Sequence, residues 1–273
     1  MVSKGGSTTW SKLGRAGLLC FLSAVLYIPA YADVYNAVNN FPTSIITTSS
    51  TTQSVNGVWS YGYATLLNPV NFSPDTSATA DYFGDGSAAG FYTTIAPYPY
   101  NLLPTVLENI SGGTLNNEGG TIGPWPTNLL LLHPGCSGNI TSDGICQSGG
   151  YYSVVRFTAP ASATYVVTGE FLAIGNYSGV TADSASITTS GPISTTVFST
   201  TSTSTPQTFN LDETLMAGES LDFAVGLVPS GQFYYDSTGF NVTIAATPEP
   251  GFYGAVALGL CGLTVVLRRR PRS

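Results

Sequence analysis

The strongest constraint on the fold is a period-two alternation of apolar side chains in the second half of the chain. Successive side chains of a β-strand point to opposite faces, so this pattern predicts strands with one face on a core and one polar face. The alternation is seen in Ser220–Val228, where Leu221, Phe223, Val225 and Leu227 are the apolar members, and in Gly239–Ala245, where they are Phe240, Val242 and Ile244.

Turn residues separate further strand candidates on both sides of this region. The chain between its two ends shows no helical periodicity, so we predict an all-β ectodomain, an antiparallel β-sandwich of about ten strands. The predicted strands are Val58–Tyr63, Phe91–Ile95, Leu129–Leu132, Tyr151–Phe157, Thr164–Ala173, Asp183–Thr188, Thr195–Thr201, Thr208–Asp212, Ser220–Val228 and Gly239–Ala245.

The N-terminal segment has the three parts of a secretory signal peptide. Basic residues precede an apolar run, 16–28, which is short for a membrane-spanning helix. Ala30 and Ala32 follow as the small residues of a cleavage site. The sequence therefore predicts a cleaved signal peptide over 1–32 and a mature chain that begins at Asp33.

The C-terminal segment combines a short motif, an apolar stretch and a basic cluster. Pro248, Glu249 and Pro250 precede the apolar residues 251–267, and Arg268, Arg269 and Arg270 follow them. As a helix this stretch would be roughly 26 Å long, enough to span a thin bilayer. The arginines stay on the cytoplasmic side, which places the ectodomain outside. An ordinary single-span anchor would have the same features.

The order of Pro-Glu-Pro, apolar helix and arginine cluster over 247–273 resembles the PEP-CTERM sorting tail of Gram-negative bacteria. The resemblance implies processing by an exosortase, a membrane-embedded enzyme that reads Pro-Glu-Pro. It also implies an intermediate held in the inner membrane, and then a place at the cell surface or in the extracellular matrix. The expected organisation is a signal peptide over 1–32, an ectodomain over 33–246 and a sorting tail over 247–273.

Charge is distributed very unevenly along the chain. Seven of the eight Lys and Arg residues lie in the two end segments, and residues 33–247 contain one basic residue, Arg156, against fourteen acidic residues. A surface of this sign lacks the basic patches that displace counterions from nucleic acid. Nucleic acid is therefore excluded as an expected partner.

Two of the four cysteines remain once the end segments are set aside. Cys20 leaves with the signal peptide and Cys261 lies in the tail, so Cys136 and Cys146 are left in an oxidising compartment. Such a pair is expected to form a disulfide. A metal site is the alternative, although no second pair of ligands accompanies it.

The sequence offers few groups for catalysis. His133 is the only histidine, so a nucleophile activated by histidine, or a zinc site, lacks partners, and we expect no catalytic residues and no cofactor. A polysaccharide hydrolase needs only two carboxylates and stays an alternative. Its candidates are Glu108, Glu118, Glu170 and Glu219. Asp81 and Asp85, among glycines, are weak candidates for structural calcium.

Several short stretches of the ectodomain resemble a jelly-roll domain that recurs in exported proteins of environmental bacteria. They are NGVWSYGY (56–63), LLHPG (131–135), VVRFTAPASATYVVTGEF (154–171), LDFAVGL (221–227) and YYDSTGFNVTI (234–244). The resemblance implies a jelly-roll-like sandwich related to galactose-binding-like and carbohydrate-binding modules.

Exposed aromatic side chains are the expected contacts for a sugar, because sugar rings stack on flat aromatic faces. The main expectation is a structural or adhesive protein of the envelope or of an exopolysaccharide matrix. The alternative is a carbohydrate-binding module that recognises a neutral glycan. The candidate contacts are Trp59, Tyr61, Tyr63, Tyr98, Tyr100 and Trp125.

Overall fold

β-Strands supply nearly all the regular secondary structure of the described residues, as the alternating pattern predicts. The computed structural model describes residues 33–43, 46, 54–93, 104–116, 122–147, 149–175, 183–191, 193–201 and 203–247. The strands are β1 (Val34–Asn36), β2 (Val55–Asn56), β3 (Trp59–Ala64), β4 (Ser73–Pro74), β5 (Ser77–Thr79), β6 (Ala88–Tyr92), β7 (Thr105–Asn109), β8 (Leu130–His133), β9 (Gly135–Cys136), β10 (Gly150–Thr158), β11 (Ala163–Ala173), β12 (Ser184–Ser190), β13 (Thr195–Thr200), β14 (Gln207–Leu215), β15 (Ser220–Gly226) and β16 (Thr238–Thr247).

These strands form two antiparallel sheets. Sheet A has the order β14-β11-β16-β8-β7-β6-β5, and β1 also pairs with β16. Sheet B has the order β13-β12-β15-β10-β3-β2, with β4 on β3 and β9 on β10. The longest pairing joins β11 to β16, from Thr164 opposite Thr247 to Ala173 opposite Thr238.

The prediction of an all-β fold is confirmed, and each of the ten predicted strands overlaps an observed one. The ends differ by up to three residues: β6 begins at Ala88 rather than Phe91, and β14 runs to Leu215 although regular alternation stops earlier. The sequence pattern did not predict β7, although the side chains of Thr105, Val106 and Leu107 at its start are all buried. The strand is too short for its pattern to stand out from the loops around it.

Large aromatic side chains from both sheets fill the space between them. Phe223 of sheet B lies 5.2 Å from Phe240 of sheet A, measured between ring centroids. Tyr61 stacks on Phe91 at 5.1 Å, and Phe157 contacts Tyr165 at 5.4 Å. All of these rings are essentially inaccessible to solvent. The two sheets therefore form a sandwich around an aromatic core.

The expected disulfide is confirmed. Cys136 and Cys146 are joined, with their Cα atoms 5.8 Å apart. Cys136 belongs to β9, which pairs with the first residues of β10. The Cys146 N–H donates to the carbonyl of Gly231, so the bridge also fixes the segment that follows β15.

Among the described residues, one ion pair joins two neighbouring strands of sheet B. Arg156 of β10 donates from Nε to Asp222 Oδ1 at 2.6 Å and from Nη2 to Oδ2 at 2.9 Å. Its guanidinium also lies 4.2 Å from the centre of the Phe72 ring. The Asp222 side chain is fully buried, so this contact compensates a charge that would otherwise be costly to bury.

Asp75 is a second buried carboxylate, held beside the core. Its Oδ1 accepts a hydrogen bond from Thr93 Oγ1 at 2.9 Å, while Oδ2 has no hydrogen-bond partner among the described residues. Burial raises the pKa of this carboxyl from 3.8 to about 7, and the Thr93 contact opposes that shift.

The predictions for the two ends fall on residues outside the described ranges. They concern the cleavage site at Ala30 and Ala32 and the tail with its Pro-Glu-Pro motif and arginines, and they stay predictions. Within the described ranges, no helix has the length and apolar character needed to cross a bilayer.

Removing the disulfide should destabilise the protein by about 3 kcal/mol, the loop-closure value for a ring of this size. Urea denaturation of the wild type and of the double variant Cys136→Ser/Cys146→Ser measures the difference. A reducing agent should lower the unfolding midpoint of the wild type to that of the variant and should leave the midpoint of the variant unchanged. An equal unfolding midpoint in both proteins would show that the bridge contributes no stability.

Breaking the ion pair on one side should be more costly than removing it entirely. We expect Arg156→Met to lower the free energy of unfolding by about 3 kcal/mol, because Asp222 then remains buried without its cation. The double variant Arg156→Met/Asp222→Leu should recover most of that loss. A double variant less stable than either single variant would contradict this account.

Stability should fall as the pH rises through neutrality, and Asp75 should account for part of that fall. The folded protein retains the Asp75 proton to about pH 7, whereas the unfolded chain releases it near 3.8. The stabilisation is therefore complete below pH 4 and lost as pH rises through 7. Asp75→Asn should match the wild type at pH 4 and exceed its stability at pH 8. Asp143→Asn, at an exposed carboxylate, serves as the control in urea denaturation across this range.

Candidate functional site

An uncharged depression lies where β10 begins and β15 ends. Its volume is about 310 Å³, and two neighbouring tyrosines supply its aromatic surface. Glycine backbone forms much of the remaining wall. Its lining consists of Cys146, Gly149, Gly150, Tyr151, Tyr152, Gly226, Leu227, Val228, Pro229, Ser230 and Gly231.

Glycine permits the close packing around Tyr152. A Cβ atom at Gly226 would collide with the Tyr152 ring, so only glycine lets this ring lie flat against β15. Ser184 Oγ donates to the carbonyls of Gly226 and Leu227, each at 3.0 Å. These contacts hold the end of β15 in position beneath the ring.

Tyr151 points to the opposite face of β10, because adjacent residues of a strand alternate. Its ring meets that of Tyr63 edge to face, with the centroids 5.7 Å apart. Both tyrosines are partly exposed. Tyr63 of the neighbouring strand β3 therefore supports the Tyr151 ring from outside the lining of the depression.

The structure changes the set of aromatic residues available to a ligand. Trp59, Tyr61 and Trp125 are fully buried, which corrects the expectation that their rings contact a glycan. Trp59 and Tyr61 lie on the inward face of β3 in the main core, and Trp125 packs in a second buried cluster. Of the other candidates, Tyr63 is partly exposed, and Tyr98 and Tyr100 lie outside the described residues.

Sequence reasoning missed Tyr151 and Tyr152 as site residues. One signal was present, since two consecutive aromatic residues in a strand cannot both face the core. Their position after Gly149 and Gly150 also marks the start of a strand, where side chains leave the packed interior. The loop that completes the depression, 227–231, has no recognisable pattern of its own.

A second depression, of about 290 Å³, brings two glutamates to one surface. Burial and the neighbouring charge of Asp212 raise the pKa of Glu213. Glu219 Oε2 accepts the backbone N–H of Met216 at 2.8 Å, so this carboxylate closes a turn. Of the hydrolase candidates, Glu108 accepts a hydrogen bond from Thr43 Oγ1, and Glu118 lies outside the described residues.

His133 is partly buried, and its ring packs edge to face against Phe233 with the ring centroids 4.8 Å apart. Its Nδ1 lies 2.7 Å from the carbonyl of Pro134, and burial lowers its pKa to about 4. The imidazole is therefore neutral at physiological pH and already has a backbone partner.

The weak calcium candidates take part in turns. Asp81 Oδ1 accepts the N–H groups of Gly84 and Gly86, at 2.7 and 2.9 Å, and Asp85 Oδ1 accepts that of Ser87 at 2.9 Å. Within the described residues, no three side chains of the His, Cys, Asp and Glu types converge as metal ligands. Calcium at Asp81 and Asp85 stays a prediction.

Comparison with known proteins identifies no family: no family model matches, and no curated protein matches. Among solved structures, a family 35 carbohydrate-binding module from Clostridium thermocellum is 20% identical, covering 44% of this chain and 89% of its own, with a TM-score of 0.24. A second family 35 module, from Cellvibrio japonicus, is 18% identical, covering 52% and 93%, with a TM-score of 0.27.

A third solved structure is the N-terminal cellulose-binding domain of Cellulomonas fimi β-1,4-glucanase C. It is 17% identical, covers 46% of this chain and 82% of its own, and has a TM-score of 0.25. Scores at this level carry no conclusion about ligand or activity.

Proposed function

We propose that the unit Val34–Thr247 is a non-catalytic module that binds a neutral glycan in the tyrosine-lined depression. The observation that carries the proposal is the lining itself, which combines Tyr151 and Tyr152 with glycine backbone and contains no charged side chain. Its volume of about 310 Å³ lies at the lower end of the range for small-molecule sites.

The chemistry of this lining suits a sugar ring. Tyrosine offers an apolar face for the C–H groups of the sugar and a hydroxyl that exchanges hydrogen bonds with it. The backbone amides and carbonyls along Gly149, Gly150 and the 227–231 loop add further donors and acceptors. Neither contact requires a charge on the ligand.

Electrostatics favour a neutral ligand over an acidic one. Residues 33–247 carry one basic residue against fourteen acidic residues, and Arg156 is already paired with Asp222. Uronic-acid and sulfated polymers would be repelled by this surface and would find no free arginine or lysine in the described part of the chain.

The cellular setting of the proposal rests on the sequence of the two ends. A cleaved signal peptide and a PEP-CTERM-like tail would deliver the module to the cell surface or the extracellular matrix, after an exosortase-like enzyme reads Pro248–Pro250. There a jelly-roll-like module that holds neutral exopolysaccharide would act as an adhesive or structural component, which unites the adhesive and glycan-binding expectations.

Replacing either tyrosine should weaken glycan binding. We expect Tyr151→Ala and Tyr152→Ala each to weaken binding by about tenfold or more, since an aromatic contact of this kind is worth roughly 1 kcal/mol beyond its buried area. Affinity electrophoresis against cellulose derivatives, xylan, mannan, galactan and dextran identifies the ligand, and calorimetry with the matching oligosaccharide measures its affinity.

Tyr234→Ala is the matched control, because Tyr234 is an exposed tyrosine outside the depression. It should bind as the wild type does, and polygalacturonate should not bind to any of the proteins. Glycan binding that is unchanged in both Tyr151→Ala and Tyr152→Ala would contradict the proposal. So would an absence of binding to every neutral polymer.

A further inference from the structure

The disulfide closes a loop that borders the tyrosine-lined depression. This bridged loop, residues 136–146, ends at Cys146, which is itself part of the lining. Cys136, at the other end, pairs through the backbone with Gly150, another lining residue. Both ends of the bridged loop therefore reach the depression.

Backbone hydrogen bonds connect the bridged loop to the 227–231 wall of the depression. The Cys146 N–H donates to the carbonyl of Gly231 at 2.8 Å, and the Phe233 N–H donates to that of Gly144 at 2.8 Å. The wall follows the end of β15, so its far end is positioned by the bridged loop.

The first residues of the bridged loop hold another part of the lining. Ser137 donates to the carbonyl of Gly149 from its N–H at 3.0 Å and from Oγ at 2.8 Å. Gly149 and Gly150 therefore depend on the start of the bridged loop, as the 227–231 wall depends on its end.

A small hydrophobic cluster stabilises this end of the molecule. Its buried side chains are Cys136, Cys146 and Phe233, with Ile140 and Leu227 packed against them, and it is separate from the core between the sheets. Two of these three buried side chains are the bridged cysteines themselves. Opening the bridge should therefore loosen this end of the molecule at a smaller cost than unfolding the sandwich.

The two cysteines differ in their exposure. Cys136 is completely buried, whereas Cys146 has 8% of its surface exposed and borders the depression. A thiolate in the depression can therefore attack Cys146 Sγ, and Cys136 then leaves as a thiolate and takes up a proton. If the reductant is a dithiol, its second thiol releases Cys146. The dithiol gives up two electrons and two protons and becomes a disulfide.

We propose that thiol–disulfide exchange at the Cys136–Cys146 bridge controls glycan binding. A dithiol that enters the depression opens the bridge, the walls of the depression loosen and the glycan is released, while the sandwich stays folded. This inference rests on the proposed glycan site. Binding and reduction must oppose each other by the same factor, so a bound glycan also makes the bridge harder to reduce.

Amide hydrogen exchange of the full-length protein, oxidised and then reduced with dithiothreitol, tests the loosening without any glycan. After reduction, the amides of Cys146 and Phe233 should exchange nearly as fast as in an unfolded chain, whereas those of β11 and β16 should keep the protection of a folded sandwich. Persistent protection at Cys146 and Phe233 would show that the bridge does not hold the wall. Loss of protection throughout β11 and β16 would show that it holds the whole fold. Either result would overturn the proposal.

Affinity electrophoresis against cellulose derivatives, xylan, mannan, galactan and dextran tests the effect on binding. For a polymer that retards the oxidised wild type, reduction should raise the dissociation constant about tenfold or more. Cys136→Ser/Cys146→Ser is the control, since it should bind as the reduced wild type does and dithiothreitol should not change its binding. Retardation that reduction leaves unchanged would overturn this inference alone. An oxidised wild type that no polymer retards would overturn the glycan site and this inference with it.

The reciprocal effect is measured as the rate at which Cys136 and Cys146 become open to alkylation in dithiothreitol, by peptide mass spectrometry. The polymer that binds the wild type should slow this reaction. Tyr152→Ala keeps the bridge but should bind the polymer weakly, so its rate should be the same with and without polymer. Equal rates for the wild type with and without bound polymer would show that the thiol does not enter through the depression, and would overturn the proposal.

Discussion

Aromatic packing between the two sheets is the interaction on which the rest of the structure depends. Among the described residues, the ion pair lies on the outer face of sheet B and the disulfide joins β9 to the segment before β10, so neither of them links the two sheets. Contacts such as Phe223 with Phe240 and Phe157 with Tyr165 join strands of different sheets. Each buried ring removes roughly 150–250 Å² from water.

The same packing explains where a site can form. Trp59 and Tyr61 are fully buried in the sandwich, so the largest rings of β3 are not available to a ligand. At the end of β3 and the start of β10, packing no longer covers both faces of the strands. Tyr63, Tyr151 and Tyr152 occupy that transition, where a ring can pack on one side and face solvent on the other.

Scarcity of positive charge shapes the remaining polar chemistry. Arg156 neutralises Asp222, and no second arginine or lysine exists in the ectodomain for the other buried carboxylates. Burial raises the pKa of Asp75, and burial together with the neighbouring charge of Asp236 raises the pKa of Asp183.

The sequence predicted the strands of the second half well because their information is local. Alternation such as that of β15 and β16 specifies both the strand and its inward face. The site was not predictable in the same way, since Tyr152 and Gly226 meet only through strand pairing and Asp183 reaches Thr238 only through the fold. The burial of Trp59 was not predictable either. An aromatic side chain on a strand cannot be assigned to the core or to the surface until it is known which face of the sheet is covered.

The most direct test of the central claim is to observe the tyrosine rings while a neutral oligosaccharide is added. NMR spectra of the protein with isotope-labelled tyrosine, assigned by single substitutions, report each ring separately. The account predicts saturable shifts at Tyr151 and Tyr152, a smaller one at Tyr63 and none at Tyr234. Unchanged resonances at Tyr151 and Tyr152 with an oligosaccharide that the protein binds would contradict it.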